Sequence, residues 1–141
     1  MNANSRPISH HEALIYAMVT VSAADRTMTD RELRKIGDIV KTLPVFADFE
    51  TDELVKVAEA CSIILQRSDG LDAVLNLVAA LPARLHDTAY ALAIEVAAAD
   101  LHVEQEELRF LQMLRDRLKL DPLTTAAIER AARARYRRNQ T

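Results

Sequence analysis

Val21-Ser-Ala-Ala-Asp-Arg-Thr-Met-Thr-Asp-Arg-Glu-Leu-Arg34 returns 75 residues later as Val96-Ala-Ala-Ala-Asp-Leu-His-Val-Glu-Gln-Glu-Glu-Leu-Arg109, with seven of the fourteen aligned positions identical. In each copy an Asp ends an apolar helical run, and a Glu seven residues later opens the next: Asp25 with Glu32, and Asp100 with Glu107. The chain therefore contains one helix–helix corner twice, each time flanked by two carboxylates.

Working outward, apolar residues recur at helical spacing throughout. A first helix runs from about Ser9 to Ala24 with Leu14, Ala17 and Val21 on one stripe, and a second carries Leu33, Ile36, Val40 and Leu43. Thr29 with Glu32 forms an S/T-x-x-E capping box at the start of the second, and Pro44 stops it. A third helix spans roughly Thr51 to Gln66 (Leu54, Val57, Ala58, Cys61, Ile64, Leu65). Ser68 and Asp69 are cap candidates for a fourth, which runs through Leu71, Val74, Leu75, Val78 and Leu81 to Pro82. The fifth carries Leu85, Ala89, Leu92 and Val96, and the sixth Leu108, Leu111, Leu114 and Leu118. Asp121-Pro122 is an N-cap followed by proline at the first helical position, so a seventh begins there.

The expected fold is all-α, a compact bundle of about seven helices with an internal duplicated corner. The 141 residues suit one domain, 1–141. Half the residues are apolar, aromatics are 4%, and there are two glycines and no Trp, a balance that favours helices over a sheet-built core. Two copies are too few for a solenoid, which needs at least three stacked repeats.

A net charge of −3 supplies no global attraction for nucleic acid or an anionic membrane. Five arginines without an acid follow from Arg130 (Arg130, Arg133, Arg135, Arg137, Arg138), which reads as a solvated basic helix end. Single Cys61 excludes an intramolecular disulfide and sits among apolar neighbours. No apolar run reaches membrane-spanning length and the N-terminus lacks a signal-peptide core, so a cytoplasmic protein without membrane insertion is expected.

The acidic corners have two readings. A helix C-terminus carries partial negative charge, so Asp25 and Asp100 have the wrong sign there unless a cation intervenes; carboxylates with free carbonyls are the oxygen donors that Ca2+ or Mg2+ prefers. Alternatively Glu32 is a cap, Asp25 caps the turn, and Arg26, Arg31 or Arg34 neutralises both. In the second copy Glu104 replaces Thr29, so Glu107 has no hydroxyl for a capping box, and Asp100, Glu104, Glu106 and Glu107 gather within eight residues. His102 beside them could join a Zn2+ site, the lesser alternative. His10, His11 and His86 read as solvated.

The repeated small-small-Asp, variable stretch, Glu-Leu pattern resembles the TerB-like family of tellurite-resistance proteins. Ala23-Ala24-Asp25 with Glu32-Leu33, and Ala98-Ala99-Asp100 with Glu107-Leu108, carry the likeness. The resemblance implies an all-helical fold whose acidic residues form a shared metal surface, here Asp25, Glu32, Asp100 and Glu107. The glycine usual after the Asp is Arg26 in one copy and Leu101 in the other.

Nothing points to an enzyme: there is no Gly-rich phosphate loop, EF-hand loop, Glu-x-x-His pair or J-domain His-Pro-Asp. The expected function is a non-enzymatic, cation-responsive or interaction module of stress responses; the alternative is a protein–protein scaffold whose corners are structural caps. Other proteins are the expected partners, nucleic acid is not, and a homodimer through Ala-rich faces is open.

Overall fold

The computed structural model describes residues 8–23, 27–100 and 105–139. Among them are seven α-helices and no strand: α1 His10–Ala23, α2 Asp30–Thr42, α3 Leu54–Leu65, α4 Gly70–Ala79, α5 His86–Ala99, α6 Gln105–Leu118 and α7 Pro122–Arg135. Short 3-10 turns at Pro44–Phe46, Thr51–Glu53 and Ala83–Leu85 lead between them.

Helix α1 is the centre. Every residue from Ala13 to Ala23 is buried, because the segment is apolar on all sides rather than on one stripe, and such a helix is stable only when surrounded. It packs on α2, α3, α4, α5 and α6. Its start is fixed by Ser9 and Glu12, each accepting a hydrogen bond from the other's backbone N–H at 3.1 and 2.9 Å, a second capping box with the same signature as Thr29 and Glu32. The two duplicated helices α1 and α5 lie against one another, and α7 packs on α5.

Four local expectations change. Leu108 is 48% exposed, because α6 buries Glu107, Phe110, Leu111, Leu114 and Leu118; Leu108 lies about 100° around the helix from Glu107, off that stripe, and the larger Phe110 ring takes the core position. Asp69 stands at the α4 N-cap without a side-chain cap bond, since Arg67 holds its carboxylate through Nε at 2.9 Å and Nη2 at 2.8 Å. His11 belongs to the first turn of α1, where its ring meets Phe46 and Phe49 at centroid distances of 5.9 and 5.4 Å and Nε2 lies 3.0 Å from Asp48 Oδ1. His86 is half-buried: its Nε2 lies 2.8 Å from the Leu81 carbonyl and 3.2 Å from that of Ala79, so Nε2–H satisfies backbone oxygens left open at the end of α4.

Cys61 is fully buried on α3 against α1, 3.7 Å from Thr20 Oγ1 and 3.8 Å from the Tyr16 carbonyl. Burial pushes its thiol up to about 12, which makes it an inert core residue.

Candidate functional site

At the first corner the local sequence completes its cap. The Thr29 N–H and hydroxyl both donate to Glu32 Oε1, at 2.8 and 3.1 Å, and the Glu32 N–H donates back to Thr29 Oγ1 at 3.2 Å. Glu32 is half-buried, the third residue of α2. Asp25 and Arg26 lie outside the described residues.

At the second corner Asp100 follows α5 in extended backbone, its N–H donating to the Ala97 carbonyl at 3.2 Å. It is half-buried. Glu107, third in α6, is 2% exposed and faces the core side with Phe110 and Leu111. A carboxylate that deep requires partners, and Glu107, like Asp100 and Glu32, is engaged rather than free. Leu101, His102 and Glu104 lie outside the described residues.

Among the described residues no three His, Cys, Asp or Glu side chains converge on one metal-sized position. Ca2+ takes six to eight oxygen ligands and Mg2+ six. A cation at either corner therefore needs oxygens beyond the described carboxylates, from Asp25, the 101–104 segment, backbone carbonyls or water.

A polar network absent from the sequence expectations ties α5, α7 and α2 together. Glu95 of α5 accepts hydrogen bonds from the Tyr136 hydroxyl and from Arg135, and Lys35 Nζ donates to Tyr136 Oη at 2.7 Å while lying 5.1 Å from its ring centroid. Burial works to raise the Glu95 carboxyl, but the Tyr136 and Arg135 hydrogen bonds outweigh it and hold the group below its ordinary value. Next to it, Tyr90 Oη donates to Glu129, which Arg115 of α6 approaches at 3.6 Å; burial first, then the Glu129 carboxylate, push the Tyr90 hydroxyl up. Arg135 is thus held in an ion pair rather than solvated. The available signal was Glu95 itself, an acid inside the otherwise apolar run from Tyr90 to Ala99.

The fold and the repeated corner define an all-helical domain built on an internal duplication, with a buried acid at one of its two turns. The chain belongs to the TerB family: the family model of tellurite resistance protein TerB matches residues 11–131, which take in both copies of the corner. Neither the curated proteins nor the solved structures contain a significant match. Within the described residues no helix is long and apolar enough to cross a membrane.

Proposed function

We propose that this TerB-family chain is a non-enzymatic, cation-responsive interaction module that works in the cytoplasm during stress, with the α5–α6 corner as its principal sensing element. The carrying observation is Glu107, a carboxylate almost completely buried at the first turn of α6, a few residues from half-buried Asp100. Burying an acid is costly unless charge or hydrogen bonds compensate it; Glu107 is already engaged within the protein, and an oxygen-seeking divalent cation, Ca2+ or Mg2+ before Zn2+, would join that arrangement. Asp25 and Glu32 would contribute from the first corner.

A second reading is favoured by one observation at that first corner. Glu32 completes a capping box with Thr29, a role that needs no metal. If both corners serve structure, the module is a scaffold that recruits a protein partner.

Titration calorimetry and thermal melts of the wild type, Glu32→Gln and Glu107→Gln with Ca2+, Mg2+, Mn2+ and Zn2+ separate the readings. A cation module gives saturable heat and a rise in melting temperature, both reduced most by Glu107→Gln, because a site lost from the native state contributes no linkage. No heat and no shift at about 1 mM metal, where a site of millimolar affinity or better would respond, leaves the scaffold.

A further inference from the structure

Helices α6 and α7 both pack on α5 and are bridged by the Arg115–Glu129 pair, and between the three helices lies a groove of about 640 Å3. Its lining is mostly apolar, with Ile94 and Ala98 on α5, Leu108 and Leu111 on α6, and Ala132 on α7. The displacement of Leu108 from the core stripe thereby acquires a second consequence: its half-exposed side chain becomes part of a concave wall.

The polar groups around this groove are unequally occupied. Tyr90, Arg115 and Glu129 satisfy one another, and the Tyr136 hydroxyl is bound to Glu95 and Lys35. Arg133 in the last turn of α7 and Arg137 just beyond its end both line the groove, are exposed and have no ion pair among the described residues. The unpaired cationic donors of the groove are therefore two guanidinium forks, beside the amide of Gln112, and such forks match a carboxylate in shape as well as charge. Arg115, Arg133 and Arg137 set against Asp100 and Glu129 leave one positive charge on the lining, the complement of a monoanion.

We propose that the α5–α6–α7 groove binds a small amphiphilic carboxylate, its aliphatic part against Ile94, Leu108 and Leu111 and its head group on Arg133 and Arg137. A volume near 640 Å3 is that of a small-ligand site with a few placed polar groups, whereas a protein partner needs a face burying about 800 Å2 on each side. The site uses no residue of the first corner but borders the second at Asp100, so it is tested with a chelator present, where its outcome is separate from that of the cation reading.

Calorimetry on the full chain with decanoate, decanol and decyl phosphate tests it, with the decanoate site mapped by amide chemical-shift changes. Decanoate should bind saturably, one per chain, and shift residues of α5, α6 and α7. Decanol should bind at least about tenfold more weakly, and decyl phosphate no more tightly than decanoate. Arg133→Gln with Arg137→Gln, both exposed and so compatible with an unchanged melting temperature, should reduce decanoate binding to the decanol level. Ala98→Leu, which fills the floor but keeps the arginines, should weaken decanoate as well. Equal binding of decanol, tighter binding of decyl phosphate, indifference to the double substitution, shifts confined to another face, or no saturable binding by about 1 mM (a dissociation constant corresponding to only about −4 kcal/mol) would each overturn it.

Discussion

Glu32 and Glu107 occupy equivalent places, each third in the helix that follows a duplicated corner, yet Glu32 is a half-buried cap on Thr29 while Glu107 is only 2% exposed. The same position thus bears two different loads, one local and one tertiary. Thr29 provides the difference: it gives the first Glu a hydroxyl and an N–H within its own turn, and its counterpart in the second copy is Glu104.

The two glutamates should therefore respond unequally to loss of charge. Glu32→Gln retains an acceptor for the Thr29 N–H and should stay within about 0.5 kcal/mol of wild type without metal. Glu107→Gln removes a buried, engaged charge and should cost about 1–3 kcal/mol. Urea denaturation of both variants in the presence of a chelator measures this; equal losses would mean that Glu107 is not held through its charge.

The two glycines make an equally asymmetric pair. A Cβ on Gly70 would stand 2.7 Å from the Ile64 carbonyl oxygen and 2.8 Å from Leu65 Cα, both backbone atoms, because the α3–α4 hairpin closes directly over it. Gly70→Ala should destabilise by about 2 kcal/mol or more despite the better helix propensity of Ala. At Gly37, inside α2, the nearest contact would be Leu54 Cδ2 at 3.6 Å, so Gly37→Ala should stabilise by up to about 1 kcal/mol. Thermal melts of the two variants should move in opposite directions.

The helices were legible because their signals are local. The Thr29–Glu32 box and the Asp121-Pro122 start are present where the sequence places them, with Asp121 Oδ2 accepting from the N–H groups of Leu123 and Thr124. Leu108 is deceptive because its three- and four-residue spacing to Leu111, Leu114 and Leu118 is that of one helical stripe, and only packing reveals that Phe110 displaces it. The site was legible in part: the four acids follow from the repeat, but the burial of Glu107 depends on how α6 is rotated, and the position of Asp25 lies outside the described residues. The Glu95–Tyr136–Arg135 cluster joins residues about forty positions apart, and no local spacing encodes that.

Ser22 differs from its counterpart in the second copy, Ala97, by a hydroxyl that has no hydrogen-bond partner among the described residues although the residue is buried. An unpaired buried hydroxyl costs about 1–3 kcal/mol of desolvation, and alanine fits the same helix without it. Ser22→Ala should accordingly raise stability by about 1 kcal/mol. A measurable loss in chemical denaturation would indicate that the hydroxyl has a role in the working state of the protein.

Glu95 should make part of the stability depend on acidity. Its carboxyl lies below its ordinary value in the fold, so the folded state favours the ionised form more than the unfolded chain does. The stabilisation is complete above the unfolded value, about 4.3, and is lost as pH falls through the lower folded value. Glu95→Gln keeps an acceptor for Tyr136 but loses the charge opposite Arg135 and Lys35, and should cost about 1 kcal/mol at pH 7. At pH 3 the carboxyl of the unfolded chain is protonated, so the stability gained by favouring the ionised form is reduced and the difference between the two proteins should narrow. Denaturation curves at pH 7, 5 and 3 should show nearly equal gaps at the first two and a smaller one at the third; a gap that stays constant would mean that Glu95 acts through hydrogen-bond geometry alone.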